Sequence, residues 1–393
     1  MKTHPLVIIP AEEFNLRLSA IQHELRKSHT DSLLISDNAN KYYLTGRVYA
    51  GLAYIPADGL PLFFVRRPVG LDGDGVVYIR KPEQMAETIG LATPATIAME
   101  TETATYSTIQ RLKAIFLQAN LADGSALMRR VRSIKTPMQL ELLKESGRKQ
   151  EHVYRLVPRM YVDGMTDLEL QVEIERASRL EGCLGQFRIS GDSMELYMGN
   201  VLVGENADNP TPYDFAMGGQ GLDPSLPVGC NGTLIRPGDS VMVDVNGDYT
   251  GYMTDMTRTF CLGELSQLAR KAHQCSIDIC HHLASIALPG TEAKILYETA
   301  VDMAREAGLE HYFMGHNQKA GFIGHGVGIE INELPVIAPR SRDILCENNV
   351  IALEPKFVIP GAGAVGIENT YIVTPHGLEC ITSAPEELIS FVL

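Results

Sequence analysis

The chain has 393 residues, of which 45% are apolar and 21% are charged, a composition typical of a globular protein with about two domains. Its formal net charge of −14 argues against a nucleic-acid partner and against a membrane partner, because both kinds of binding surface depend on clustered basic residues. The seven cysteines are widely spaced and no stretch approaches 18 apolar residues, so we expect free thiols in a cytoplasmic protein.

The first third of the chain alternates between helical and extended patterns. Residues 11–28 carry apolar side chains at helical spacing, and the apolar run at residues 32–36 predicts a strand that leads into a turn at residues 42–46. Further predicted elements are strands at residues 62–65 and 76–79 and a helix at residues 108–119. This alternation predicts a compact α/β domain over residues 1–132.

The character of the sequence changes at residue 133, where a second domain, residues 133–393, is predicted to begin. Two long helices open it, and Asp167 is expected to cap the second helix by binding free amides of its first turn. Residues 185–239 are rich in Gly, Asn, Asp and Pro, and a connection of that length is usually functional or disordered; we expect this one to border a site. The predicted elements are helices at residues 137–161, 168–181, 264–287 and 291–307, and strands at residues 240–246, 249–262, 349–359 and 364–373.

Five segments of the second domain each place one potential metal ligand inside an apolar strand or beside glycines. An acidic side chain such as Asp244, which follows the apolar run Val-Met-Val, is costly to bury unless a cation compensates its charge. Any one of these residues alone would more often end a strand or cap a turn, but four carboxylates and one imidazole together indicate metal coordination. The five candidates are Asp244, Asp255, His325, Glu354 and Glu368.

The type, order and spacing of these residues resemble the ligands of the pita-bread metallopeptidases, the family of methionine aminopeptidase, aminopeptidase P and prolidase. The spacings are 11 residues from Asp244 to Asp255, 29 from His325 to Glu354 and 14 from Glu354 to Glu368. In the first domain, the phrase Tyr-Leu-Thr-Gly at residues 43–46 resembles the creatinase-type N-terminal domain. The resemblance implies a mixed α/β (α+β) fold, in which a creatinase-type N-terminal domain precedes a pita-bread catalytic domain, and a homodimer.

The same resemblance implies the roles of the five residues. Together they would hold two divalent ions, with Asp255 and Glu368 bridging and His325 on one ion only. Mn²⁺, Co²⁺, Fe²⁺ and Zn²⁺ all suit a carboxylate-rich set with one histidine. Paired ions would lower the pKa of a shared water and polarise a scissile carbonyl, and Glu354 would move the proton from that water.

The sequence departs from the peptidase pattern at three positions. Val228 stands in Pro-Val-Gly where aminopeptidase P and prolidase carry Pro-His-Gly, and Asn332 stands where these peptidases carry a second histidine seven residues after the metal-binding one. Gly366 stands where many prolidase-like members carry an arginine. The missing histidines hold the substrate carbonyl, and losing one such donor costs about 10² to 10³ in rate. Asn332 can still donate a hydrogen bond, although it cannot transfer a proton.

The Gly-rich segment at residues 191–231 is expected to line one wall of the metal pocket and to set substrate choice, with Tyr213 and Phe215 supplying apolar contact area. Two further substrate-binding candidates are Cys230, for which the alternative is a small buried residue beside a tight turn, and His316, nine residues before the predicted histidine ligand.

These observations support three alternative hypotheses about the function. The leading hypothesis is a dinuclear metal hydrolase acting on a small amide, an Xaa-Pro dipeptide or the N-terminal end of a short peptide. The second is a non-peptidase member of the fold, such as a creatinase-like hydrolase or a metal-dependent lyase, because fold alone does not fix the reaction. The third is a catalytically silent binding protein, against which the complete ligand set argues.

Overall fold

In this computed structural model, residues 2–90, 94–189, 198–214 and 218–391 are described. The chain divides into two compact units, Met1–Arg132 and Ser133–Leu393. All seven cysteines are free, and five of them are buried. Within the described ranges, every helix is too short or too polar to cross a lipid bilayer.

The first unit is built on a mixed six-stranded sheet. Its strands run in the spatial order Val76–Tyr78, Leu62–Arg67, Ala50–Pro56, Ser32–Ile35, Thr96–Met99 and Asn120–Asp123. A short parallel pair, His4–Pro5 and Leu71–Asp72, lies apart from this sheet. The helices are Ala11–Lys27, Asn38–Thr45, Gln84–Ile89, Tyr106–Ile115 and Ser125–Ser133. Apolar side chains of the central strands, including Leu34, Phe64 and Ile97, are fully buried and form the core of this unit.

The prediction of a turn at residues 42–46 is wrong, because these residues form the last part of the helix Asn38–Thr45 and its C-cap. The side chain of Asp37 caps the start of this helix by accepting hydrogen bonds from the amides of Ala39 and Asn40. Gly46 ends the helix with a φ of 74°, a left-handed conformation that glycine adopts without steric cost. Gly46 therefore marks the C-terminal end of a helix and is not part of a turn.

The second unit contains two larger sheets. The four-stranded sheet has the order Ile389–Ser390, Thr257–Cys261, Ser240–Val245 and Gly199–Val203, and the five-stranded sheet has the order Glu333–Ile337, Gly324–Gly326, Val350–Leu353, Asn369–Thr374 and Gly377–Cys380. Two hairpins, Gly247–Asp248 with Met253–Thr254 and Lys356–Ile359 with Gly363–Gly366, complete the β-structure of the described part. The α-helices are Pro137–Leu156, Asp167–Leu180, Gln267–Ile286 and Ala293–Glu306, and the 3₁₀ helices are Val157–Arg159, Gly204–Asp208 and Glu310–Tyr312.

Each large sheet is covered by one pair of helices. The first two helices of the unit pack on the four-stranded sheet through a core that includes Val201, Val241 and Val243. The last two helices pack on the five-stranded sheet and the second hairpin. Side chains alternate between the faces of a strand, so Asp244, which follows Val243, points away from the helices, on the same side as the buried Met242.

The strand predicted at residues 349–359 is two strands, broken at Glu354, and the strand predicted at residues 364–373 is broken at Glu368. In both cases the break falls on a predicted metal ligand. Hydrophobicity alone cannot show such a break, because the flanking residues are buried on both sides of it.

Two further predictions are refined by the structure. Asp167 does accept a hydrogen bond from the first-turn amide of Leu168, but the N-cap is Thr166, which forms a reciprocal capping box with Glu169. The Gly-rich connection at residues 185–239 contains a strand, Gly199–Val203, which pairs antiparallel with Ser240–Val245.

Candidate metal centre

The five predicted ligands lie in strands of the second unit or directly beside them. Asp244 lies near the end of its strand opposite Thr257 on one side and Asn200 on the other. Asp255 follows the strand Met253–Thr254, and His325 is the middle residue of Gly324–Gly326. Glu354 and Glu368 stand at the two strand breaks described above.

The structure brings these five side chains together in two overlapping groups. Ligand atoms of Asp255, His325 and Glu368 lie within 4.8 Å of one another, as do those of Asp244, Glu354 and Glu368. The Nε2 atom of His325 is 3.5 Å from Glu354 Oε1 and 3.8 Å from Asp255 Oδ2. We call the first group, with Glu354 beside it, the histidine site, and the second group the carboxylate site.

Neighbouring groups orient the ligands. His325 Nδ1 lies 3.1 Å from the carbonyl oxygen of Gly326; since a carbonyl can only accept, Nδ1 carries a proton, and Nε2 is the nitrogen that could bind an ion among the carboxylates. The hydroxyl of Thr257 donates to Glu368 Oε2 at 2.8 Å. Thr370 Oγ1 binds both the amide and the carbonyl of Asp255. The ligand geometry is therefore fixed by the sheets.

Lys356 is a further member of the centre that the sequence analysis missed. Its Nζ atom lies 2.8 Å from Asp244 Oδ2, 2.8 Å from Glu354 Oε2 and 3.2 Å from Glu368 Oε2, and its side chain is 0% exposed. The available signal was a lone lysine in an otherwise apolar strand, two residues after a predicted ligand.

The electrostatics of the centre show an excess of negative charge. Burial and the charge of Asp244 raise the pKa of Asp255 to about 7, and burial and the charge of Asp255 raise the pKa of Glu368 well above its usual range. Burial acts in the same direction on Glu354, but the Lys356 ammonium and the neighbouring His325 together outweigh it and lower the pKa of Glu354 to about 2. Glu354 is therefore held as a carboxylate.

The histidine site fits a divalent ion. The Oε1 atom of Glu368 is buried and has no hydrogen-bond partner among the described residues, and a buried carboxylate oxygen without a partner is costly. One imidazole nitrogen and several carboxylate oxygens are donors that Mn²⁺, Fe²⁺, Co²⁺ and Zn²⁺ accept. The carboxylate site, in contrast, already holds the Lys356 ammonium.

Val228 and Cys230 are buried in the loop that precedes the strand of Asp244. Between them, Gly229 packs so closely that a Cβ there would lie 2.4 Å from Asn200 Oδ1, and Asn200 is the cross-strand partner of Asp244. Burial and the charge of Asp167 raise the pKa of the Cys230 thiol to about 12. Cys230 is therefore a neutral thiol, which fits a packing role better than a chemical one.

Asn332 lies half-buried in the connection between the strand of His325 and the next strand. The carboxylate of Glu333 organises this connection, since Oε1 accepts from the amides of Ile329 and Glu330. Its other oxygen pairs with Lys135 at 2.8 Å, with both side chains almost fully buried. Asn332 therefore lies in a loop whose conformation is fixed by the contacts of Glu333.

The segment at residues 198–214 also contacts the chain that leads to His325. His316 Nδ1 lies 2.9 Å from Asp208 Oδ2, which places His316 in this contact and not in either metal site. Asp214 accepts from the amide of Gly321 at 3.0 Å. Tyr213, beside Asp214, is half-buried, and Phe215 lies outside the described residues.

The chain belongs to metallopeptidase family M24, whose sequence profile matches residues 141–375, and residues 17–134 match the Creatinase/Prolidase N-terminal domain. These matches confirm the predicted fold class, with a creatinase-type N-terminal domain before a pita-bread domain, and the prediction of a metallopeptidase-like hydrolase.

The chain is similar over nearly its whole length to several known proteins. It is 26% identical over 386 residues to an uncharacterized peptidase, YqhT, from Bacillus subtilis, covering 95% of this chain and 99% of the relative. It is 25% identical over 379 residues to an Xaa-Pro dipeptidase from Pyrococcus furiosus, with 95% and 99% coverage. The solved Xaa-Pro dipeptidase from Bacillus anthracis superposes with a TM-score of 0.78 at 23% identity, covering 96% of this chain and 99% of that chain.

Proposed function

We propose that this protein is a metal-dependent hydrolase of small amides, acting on Xaa-Pro dipeptides or on the N-terminal end of short peptides with water as the nucleophile. The observation that carries the proposal is the buried histidine site, in which Glu368 Oε1 has no partner among the described residues. The names of the full-length relatives support the substrate class.

Asp255, His325, Glu354 and Glu368 would hold the ion. A divalent ion bound there lowers the pKa of a coordinated water and polarises the scissile carbonyl. Manganese is the first ion to test, because a site with three carboxylates and one imidazole is rich in oxygen donors.

The protein's own residues would supply the remaining steps. Glu354, held as a carboxylate by Lys356, is the candidate proton acceptor, although its lowered pKa also lowers its basicity. The amide of Asn332 is the candidate donor to the substrate carbonyl. Tyr213 would supply apolar contact to the substrate side chain.

A second candidate function is hydrolysis or lyase chemistry on a small molecule other than a peptide. The observation that favours it is the pair Val228 and Asn332, which stand where the peptidases carry imidazoles. Because the residues around a site decide the reaction, these two positions are where a change of substrate would be expected.

The test is a kinetic assay of purified full-length protein reconstituted with Mn²⁺, Co²⁺, Fe²⁺ or Zn²⁺. A panel of Xaa-Pro dipeptides is compared with Xaa-Ala dipeptides and with creatine. Metal-dependent release of proline, abolished in Asp255→Asn and retained in the surface variant His282→Asn, supports the proposal. Metal binding with turnover of creatine alone would favour the second candidate, and absence of metal binding would refute the first.

The family resemblance also implies a homodimer, and we propose this state for the protein. Size-exclusion chromatography with light scattering checks it. A dimer would elute at about 86 kDa, twice the chain mass of 43.1 kDa, and a monomeric mass at working concentration would contradict it.

A further inference from the structure

We propose that Lys356 is a built-in cation that takes the place of a second divalent ion, so that the centre binds one ion, at the histidine site. This inference rests on the proposed function, which requires that the centre binds metal. It replaces the expectation of two ions, which came from the family resemblance.

Lys356 contacts every residue of the carboxylate site. The ammonium lies within 3.2 Å of one oxygen from each of Asp244, Glu354 and Glu368, and these are the three members of that site. An ammonium has three N–H donors, so each donor has one carboxylate acceptor. An ion in the same position would need the same oxygens at about 2.0 to 2.2 Å, so the ammonium and the ion exclude each other.

The backbone around Lys356 holds the side chain in this position. The carbonyl of Lys356 accepts from the amide of Met314 at 2.9 Å, and Lys356 pairs with Gly366 across the hairpin. A Cβ on Gly366 would lie 3.0 Å from the Cα of Lys356, so the two strands are in close contact there. Because the side chain is 0% exposed, the ammonium cannot reach solvent without a rearrangement of this hairpin.

The charge of the centre also favours one ion. The four carboxylates of Asp244, Asp255, Glu354 and Glu368 carry four negative charges when ionised. Lys356 supplies one positive charge and a divalent ion supplies two, which leaves a single negative charge. A second divalent ion would bring like charge next to the buried ammonium, and like charges at that distance repel strongly in a buried site.

The first test is metal stoichiometry, measured by elemental analysis and by calorimetric titration of the full-length protein with Mn²⁺. We expect one ion per chain in the wild type and two in Lys356→Ala, purified in excess Mn²⁺, because the truncation frees three carboxylates and the volume of the ammonium. Lys41→Met is the control for removal of a buried ammonium: Lys41 is buried in the first unit, where it donates to the carbonyl of Tyr49, and this variant should bind one ion.

A second variant decides the question if Lys356→Ala does not fold. In the wild-type background Asp244→Asn should still bind one ion, because Asp244 contacts the ammonium and belongs to the carboxylate site alone. Where Lys356→Ala does fold, adding Asp244→Asn to it should lower the count from two to one.

The outcomes separate this inference from the proposed function. Two ions in the wild type, with one lost in Asp244→Asn, would overturn the role of Lys356 and leave a metal-dependent hydrolase in place. A count of one in folded Lys356→Ala would also overturn it, because the freed site would then have no affinity for an ion. No bound ion in the wild type would refute the proposed function and this inference together.

Discussion

Thr257 and Glu368 are joined by three hydrogen bonds. Their backbones form an isolated antiparallel bridge, with N–O distances of 3.3 and 3.1 Å, and the Thr257 hydroxyl donates to Glu368 Oε2 at 2.8 Å. Thr257 begins a strand of the four-stranded sheet, whereas Glu368 precedes a strand of the five-stranded sheet. The carboxylate shared by the histidine site and the carboxylate site is thus oriented from the opposite sheet.

We predict that Thr257→Val weakens Mn²⁺ binding by about 10- to 100-fold, the usual effect of losing a group that orients a metal ligand. Calorimetric titration measures it. The matched control is Thr259→Val, two residues along the same strand, whose hydroxyl donates to the carbonyl of Gly366. Equal affinities in the two variants would show that the Thr257 hydroxyl does not set the position of Glu368.

We predict that His325→Ala loses the stabilisation that metal gives to the wild type. An ion present at 100 times its Kd adds about 2.7 kcal/mol to the free energy of unfolding, seen as a rise in Tm when Mn²⁺ is added. The variant should show no rise, because the histidine site loses its only imidazole. His281→Ala, which removes an exposed histidine paired with Glu386, should keep the full shift. A metal-dependent rise in Tm that survives in His325→Ala would place the ion elsewhere.

We predict that Val228→His combined with Asn332→His raises kcat on Xaa-Pro dipeptides. Each histidine restores a donor of a kind that contributes about 10² to 10³ in rate. Steady-state kinetics at saturating Mn²⁺ measure the effect, with Val228→Gln and Asn332→Gln as controls that place an amide but no imidazole at each position. A wild type that is already fast and is impaired by both histidines would show that the native residues serve a different catalytic arrangement.

We predict that Tyr213→Ala lowers kcat/KM by about tenfold at constant metal content, which corresponds to about 1.4 kcal/mol of transition-state binding. The contacts of its segment with the strand of Asp244 and with the chain before His325 support this expectation. Tyr106→Ala, at an exposed position of the first unit, is the control. Unchanged kinetics would leave the choice of substrate to other elements.

We predict that His273 makes the protein less stable in acid. Burial lowers its pKa to about 4 from 6.5, and its Nε2 lies 2.8 Å from the carbonyl of Glu386. Between these pH values the unfolded chain binds more protons than the folded one, so the free energy of unfolding falls as the pH is lowered from 6.5 to 4, by on the order of 3 kcal/mol.

His273→Gln can keep the hydrogen bond but cannot take up the proton. Urea unfolding of the wild type and of this variant at pH 7 and pH 4.5 measures the effect, and the variant should lose less stability over that interval. An equal loss in both proteins would mean that other groups cause the acid sensitivity.

The sequence predicted the ligand set because the type, order and spacing of these residues resemble the ligands of the pita-bread metallopeptidases, and because each stands among apolar residues or glycines, where an uncompensated charge is costly. It did not predict Lys356, because a lone lysine in the strand Lys356–Ile359 is also compatible with a solvent-facing edge.

The strand Gly199–Val203 was not predicted either, because the sequence around it does not indicate a strand. Its neighbours are typical of a loop, and only pairing with Ser240–Val245, 37 residues or more along the chain, stabilises it as a strand.

The buried ammonium of Lys356 affects how the centre assembles during folding. A bound ion exchanges with its surroundings and is lost to a chelator, whereas the charge of Lys356 is encoded in the chain and is delivered with the hairpin Lys356–Gly366 as it forms. Asp244, Glu354 and Glu368 therefore meet a counter-charge during folding, whatever the supply of metal in the cell.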